Sequence, residues 1–238
     1  MKLAVFSDVH SNLEALDSAF CDMDKRGVDM RVCLGDVVGY GASVNEVVEL
    51  VSKKADIVVV GNHDKAVLGE IDISSFNNVA KLATLWTQEQ LSDKSKRFLK
   101  SLRYQVVFKN MLFTHASPFK PKSFRYIINE VDVLDAFDSF EEEVCFFGHS
   151  HVSMVLKKDD KNCFTRDKQT VIDDIAMINA GSIGQPRDGS AFLSYVVYDT
   201  ITLECEMVRL KYEVAKAAKK IIDAGLPEVL AKRLFVGQ

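Results

Sequence analysis

Cys145–Ser153 reads CFFGHSHVS. A short apolar run, Val144–Phe147, stops at Gly148 and then presents two histidines one residue apart, His149 and His151. A fully buried strand ends this way, with a turn residue closing an apolar run. Along an extended backbone the two histidines would share a face, whereas a tight loop would aim them at neighbouring points. Taken alone, the fragment also fits one core histidine and one solvated one, so the rest of the chain has to decide.

Working outward, the same event recurs at other strand ends. VFSDVH places Asp8 and His10 past the strand Lys2–Ser7, and VCLGDVVG places Asp36 past Met30–Leu34. VVVGNHD places Asn62, His63 and Asp64 past Ile57–Val60, and LFTHAS places His115 past Met111–Thr114. Between the first three strands lie two amphipathic segments, Asn12–Arg26 and Ser43–Lys54, the second with Ser43 as its expected N-cap. This β-α-β-α-β rhythm implies a parallel sheet covered by helices. Ligand sites in such sheets form at the carboxyl ends of the strands. All five histidines fall in these strand-end loops, a concentration that scattered structural histidines would not produce.

Downstream, Lys65–Lys100 reads as helical with a break near Ser92-Asp93. Tyr104–Phe108 and Met111–Thr114 flank the hairpin turn Lys109-Asn110, and Ser123–Phe140 reads as helix. Met154–Leu156, Ala176–Asn179, Ala191–Asp199 and Leu203–Leu210 suggest a second, largely antiparallel sheet, and Lys157–Lys168 an exposed loop or hairpin tip. Tyr212–Ala224 and Pro227–Phe235 are helical, divided by a C-cap Gly225 and an N1 Pro227. They cover a sheet face or form a contact in a homo-oligomer. With no repeat, low-complexity stretch or linker, one domain over residues 1–238 is expected.

Composition narrows the functional classes. A net charge of −4 argues against general nucleic-acid binding, which needs an excess of Lys and Arg. Five cysteines without CxxC spacing read as free thiols in a reducing compartment. No signal peptide or membrane-length apolar run is visible, so no membrane partner is expected and the location expected is cytoplasmic.

The ordered series D-x-H, GD, GNHD, H and GH-x-H resembles the calcineurin-like metallophosphoesterase superfamily over roughly residues 1–199. GDVVGYG and NAGSIGQPRDG carry a closer similarity to its small YfcE-like phosphodiesterase branch. The resemblance implies an α/β-β/α sandwich of two mixed sheets flanked by helices, with a dinuclear metal site at the carboxyl ends of strands. Asp8, His10 and His151 would bind one ion, Asn62, His115 and His149 the other, and Asp36 would bridge them. His63 would be the general acid, although a structural hydrogen bond is its alternative.

Two cations about 3.5–4 Å apart can clamp phosphoryl oxygens and ionise a shared water. Two divalent ions outweigh the carboxylates of Asp8 and Asp36 plus one hydroxide by about one charge, which attracts a phosphate-ester anion. The N and O donors suit Mn²⁺, favoured from the family, or Fe²⁺, Zn²⁺, Ni²⁺ or Co²⁺. Arg187 can fork onto a substrate phosphate or pair with Asp188 or a surface acid. Asp64 reads as an N-cap for a helix from Lys65, with orientation of His63 or the backbone as the alternative. Asn179 and Ser182 read as turn formers, and Tyr126 as a core aromatic on a helix, with contact to a leaving group as its alternative.

The sequence departs from the protein phosphatase relatives, which carry GDxxDRG. Gly39 stands where their aspartate partners the catalytic histidine, and the following arginine is missing. The expected function is a phosphodiesterase acting on a small phosphate ester or nucleotide. A phosphomonoesterase or nucleotide-polyphosphate hydrolase, and a non-catalytic scaffold like the retromer subunit, are the alternatives. Phe76–Leu91 and Pro118–Asn129 are the candidate covers over the site; a second basic group there would favour monoesters, whose extra charge needs another partner, and an open cleft would favour diesters.

Overall fold

The computed structural model describes residues 1–158, 164–165 and 167–238. Its first part alternates β1 (Lys2–Phe6), α1 (Leu13–Arg26), β2 (Met30–Cys33), α2 (Val44–Lys54), β3 (Ile57–Val58) and a short α3 (Asn62–Ala66). Next come α4 (Asn78–Gln90), α5 (Asp93–Ser101), β4 (Gln105–Phe108), β5 (Met111–Thr114), α6 (Glu130–Phe137) and β6 (Val144–Phe147). The remainder comprises β7 (Met154–Lys157), β8 (Phe164–Thr165), β9 (Gln169–Val171), β10 (Ala176–Asn179), β11 (Leu193–Asp199), β12 (Glu204–Leu210), α7 (Val214–Asp223) and α8 (Glu228–Val236).

Two sheets result, in the orders β3-β2-β1-β11-β12-β9 and β4-β5-β6-β10-β7-β8. Both are mixed. In the first, β1, β2 and β3 run parallel and β11 joins β1 antiparallel, with Leu3 opposite Tyr198. In the second, β5, β6 and β10 are parallel and β4, β7 and β8 antiparallel. The expected second, largely antiparallel sheet is corrected here, because β11 and β12 cross back to the first sheet. β11 pairs with β1, roughly 200 residues away in sequence, so local patterning carries no trace of that pairing.

Alternation along each strand builds the layers. Leu3 and Val5 face a core between the sheets with Phe113, Phe146 and Ile178. Ala4 and Phe6 point the other way, against Leu16, Phe20 and Val48 of α1 and α2. On the far sheet Cys145, Phe147 and Met177 pack against Phe137 of α6. The order from outside to outside is helices, sheet, sheet, helices. α7 and α8 pack with α4 through Ala217, Ile221, Leu230, Leu234 and Ala83, forming one flank instead of covering a sheet face alone.

Local signals explain most element ends. Asn12 accepts the Ala15 N–H at 3.1 Å, and Gly27 ends α1 in the left-handed region. Other expectations need correction. Ser43 stands at the N-cap of α2 as expected, but its side chain makes no capping bond and its hydroxyl instead accepts a hydrogen bond from Lys220. The stretch from residue 67 to 77 is not helical, and the segment read as helix from Ser123 is helical only over α6, since Lys120 and Phe124 take left-handed backbone. Pro227 sits at the N-cap of α8, not at N1. The polar stretch Lys157–Lys168 and Cys163 lie largely outside the described residues. Among the described residues no helix is long and apolar enough to cross a membrane.

Candidate metal centre

The strand-end loops converge. The Asp8 N–H donates to Gly35, the His10 N–H to Asp36 and the Gly148 N–H to His115, all to backbone oxygens, at 3.1, 2.9 and 2.8 Å. Residues after β10 close the ring, with Gly184 N–H donating to the Asp8 carbonyl at 2.8 Å. Asp8, His10, Asp36, His149 and His151 all have positive φ, between 48° and 67°. L-residues adopt this region rarely, and it clusters at functional sites. The opening question is answered by this winding: His149 packs against His115 with centroids 5.1 Å apart, while His151 stacks on His10 at 4.9 Å. Gly148 makes the turn possible, since a Cβ there would lie 2.0 Å from Ser7 Oγ and 2.7 Å from Asp8 Oδ2.

Two donor groups form, Asp8 with His10 and His151, and Asp36 with His115 and His149. Within each, the ligand atoms lie within 4.8 Å of one another. Asp36 stands between them. Its Oδ1 accepts the His63 N–H at 2.8 Å, while Oδ2 lies 3.3 Å from His115 Nε2 and 3.8 Å from His10 Nε2. Asn62 joins the second group, with Oδ1 3.1 Å from His115 Nε2.

The hydrogen bonds show that these donors fit cations. His10 Nδ1 faces the Val38 carbonyl at 3.1 Å and His151 Nδ1 the Gln185 carbonyl at 2.5 Å. A carbonyl only accepts, so both Nδ1 atoms carry protons, and Nε2 is the ring atom each histidine turns toward the other. Those two Nε2 atoms face each other at 3.1 Å, with Asp8 Oδ1 3.2 Å from that of His151. Two imidazole nitrogens and a carboxylate oxygen so placed form a donor set that fits a divalent cation. His115 Nδ1 is likewise fixed by the Leu34 carbonyl at 2.8 Å, and its Nε2 meets only the oxygens of Asn62 and Asp36. The buried atoms Asp8 Oδ1 and His149 Nε2 lack hydrogen-bond partners.

Electrostatics agrees. Burial opposes ionisation of Asp8 and Asp36, yet the histidines beside them, His151 and His115 first, hold both well below the usual carboxylate range. Burial alone would lower His115, but Asp36 pushes it up to about 9, so a proton occupies the place a cation would take. Metal binding at such a point releases the proton. Burial lowers His149 to about 3 and His63 to about 4. Asp64 is raised to about 7 by burial and the nearby Asp36 charge.

The other expected residues resolve as follows. Asp64 lies inside α3, and its carboxylate accepts the N–H groups of Gly61 and Val38 at 2.9 and 3.2 Å. It therefore orients backbone and is not an N-cap for a helix from Lys65. His63 Nδ1 is buried without a partner, and a Cβ on Gly39 would lie 2.9 Å from it. Gly39, which stands where the protein phosphatase relatives carry an aspartate, thus leaves room only for bare backbone. Aromatic rings hold His63 instead, Tyr40 at 4.5 Å, His10 at 5.0 Å and Phe76 at 5.2 Å. Asn179 and Ser182 brace the loops as turn formers, donating to the carbonyls of Gly148 and Asp8, both at 2.8 Å. Asp188 pairs with Arg209, not with Arg187. The Arg187 guanidinium lies 5.9 Å from the Tyr40 ring centroid and donates to Gln185 Oε1 at 3.2 Å.

Over this floor opens a cavity of about 590 Å³, with Asn62, His63 and His149 at its base. Phe76 and Phe124 line it, placing both expected covering segments on its walls. Tyr126 is not a core residue on a helix. It is 45% exposed and stacks on His149 with centroids 3.9 Å apart. Sequence reasoning missed the roles of Tyr40 and Arg233 in this cavity. Only Tyr40, inside GDVVGYG, carried a local signal.

The model of the calcineurin-like phosphoesterase superfamily domain matches residues 1–202, and the chain belongs to that superfamily. It is similar to the uncharacterized protein MJ0912 of Methanocaldococcus jannaschii, 39% identical over 242 residues that span 99% of this chain and 98% of that one. A metallophosphoesterase from Sphaerobacter thermophilus has a similar structure, with a TM-score of 0.91 and 34% identity over 100% of this chain and 99% of that one. The hypothetical protein PH1004 from Pyrococcus horikoshii shares the fold at a TM-score of 0.81 and 19% identity, over 100% and 98% of the two chains.

Proposed function

We propose that this protein is a two-metal phosphodiesterase acting on small phosphate esters. One observation carries the reading: the Nε2 atoms of His10 and His151 converge at 3.1 Å while Asp36 Oδ2 stands between two donor groups. Asp8, His10 and His151 would hold one divalent cation, Asn62, His115 and His149 a second, with Asp36 shared. The donor set without thiolate suits Mn²⁺, Fe²⁺, Zn²⁺, Ni²⁺ or Co²⁺, and Mn²⁺ is favoured from the family. Such cations supply charge for the phosphoryl oxygens and acidify water toward neutrality. Backbone carbonyls of Val38, Gln185 and Leu34 fix the ligand tautomers and ring planes.

His63 would deliver the proton to the leaving oxygen. An anionic ester in the cavity raises the affinity of this imidazole for that proton, against the burial that lowers it. Arg187 would fork onto a non-bridging oxygen. The free thiols Cys21, Cys33, Cys145 and Cys205 support action in a reducing, cytoplasmic compartment.

A second reading, a phosphomonoesterase or nucleotide-polyphosphate hydrolase, is favoured by the basic residues Lys122, Arg187 and Arg233 along the same cavity. The test compares bis-p-nitrophenyl phosphate with p-nitrophenyl phosphate, on chelated enzyme and after adding Mn²⁺, Zn²⁺ or Ni²⁺. Metal-dependent turnover favouring the diester is expected. Preference for the monoester would promote the second reading, and no turnover with any metal would overturn both.

A further inference from the structure

The superfamily match ends at residue 202, yet the cavity does not. Its rim is completed by Arg233 and Gln238, from α8 and the residues just after it. The carbonyl of Gly237 accepts the Gly189 N–H at 3.0 Å, tying the end of α8 to the loop that carries Arg187. That loop is anchored again where the Arg187 N–H donates to the His151 carbonyl at 3.2 Å. Arg187 and Arg233 therefore belong to one braced assembly standing over the metal-ligand loops.

Both arginines are half-buried, and neither is ion-paired among the described residues. Asp188 pairs with Arg209, and Asp72, the one carboxylate side chain among the described lining residues, accepts from the Ser74 N–H and hydroxyl at 2.8 and 2.6 Å. Two unpaired guanidinium groups beside a cation site exceed what a single-charge diester can satisfy. Each presents a planar fork that matches phosphate oxygens. The aromatic wall of Phe76, Phe124 and Tyr126 offers ring faces to the body of such a ligand.

We propose that Arg233 forms a second anion subsite, which accepts a phosphate one position removed from the phosphate engaged by Arg187 and the metal-ligand loops. The substrate class is a nucleotide carrying at least two phosphates. This rests on the phosphoesterase reading of the same site, and its test is a binding measurement that stands apart from turnover.

The experiment is isothermal titration of the Mn²⁺-loaded protein with α,β-methylene-ADP and with AMP, for wild type, Arg233→Gln and Arg233→Lys. Wild type is expected to bind the diphosphate about tenfold or more tightly than AMP, the worth of one charged hydrogen-bonded contact. Arg233→Gln should bring that ratio close to one, and Arg233→Lys should retain part of it. Equal affinities in wild type, or an unchanged ratio in Arg233→Gln, would overturn the subsite. Turnover of bis-p-nitrophenyl phosphate in the same wild-type preparation reads the phosphoesterase activity separately. An inactive enzyme that still prefers the diphosphate would refute the activity and keep the subsite.

Discussion

Gly148→Ala tests whether the winding of the His149 loop, more than the identity of its histidines, sets the metal site. The added Cβ would lie 2.0 Å from Ser7 Oγ, 2.6 Å from Ser7 Cβ and 2.7 Å from Asp8 Oδ2. Ordinary contact begins at 3.4 Å, so the two loops must separate by about 1.4 Å. Both neighbours of that contact are proposed ligands, Asp8 on one side and His149 on the other, and the His149 N–H now donates to Asp8 Oδ2 at 2.9 Å. A misplacement of about 1 Å at a reacting centre costs about 100-fold in rate, and overpacking costs about 1–3 kcal/mol in stability. The assay is kcat/KM on bis-p-nitrophenyl phosphate, with metal content by elemental analysis and a thermal melt of the same samples. A fall of about 100-fold with loss of bound metal is expected. Wild-type turnover with a full complement of metal would refute the claim that Gly148 sets the loop spacing.

Three further outcomes follow from the same geometry. Asp36→Asn should lose metal and activity together, with affinity falling at least 10- to 100-fold, the range known for outer partners of a metal site; retained stoichiometry in elemental analysis would argue against a shared carboxylate. His63→Asn should keep its metal and lose about 10²–10⁴ in kcat on esters with poor leaving groups, and much less on nitrophenyl esters; equal losses on both would remove the general acid. Asp22 accepts hydrogen bonds from the Tyr195 hydroxyl and Arg26 Nε, both at 2.5 Å. Burial would raise its pKa, but these partners lower it on balance, so its contribution is present above the ordinary carboxylate value and is lost as pH falls through the lowered one. Asp22→Asn should lower the melting temperature at neutral pH by roughly 2–4 °C, about 1 kcal/mol, and flatten its acid dependence; an unchanged acid limb would show that this carboxylate is not responsible.

What could be read in the sequence divides along a physical line. Apolar runs closed by glycine and polar residues marked β1, β2, β5 and β6 and their loops, because burial and turn chemistry act over a few residues. The donor groups followed once those ends were seen together. The partner of β11 could not be read, since nothing near Leu193–Asp199 names β1. Tyr126 was misjudged because Ser123–Phe140 has helical composition, whereas the chain there follows left-handed turns at Lys120 and Phe124. Arg233 was invisible for a different reason. An arginine in an amphipathic helix reads as solvated surface, and only the docking of α8 beside the Arg187 loop brings it to the cavity.

That docking has a practical consequence for handling the protein. Gln238 lines the cavity, so any peptide joined after it starts at the mouth of the site. A C-terminal affinity tag, above all a polyhistidine tail, would bring competing imidazoles within reach of the metal-ligand loops and could be mistaken for a ligand or an inhibitor. Purification handles belong at Met1, whose backbone carbonyl accepts the Thr200 N–H beside β11, at the start of the first strand.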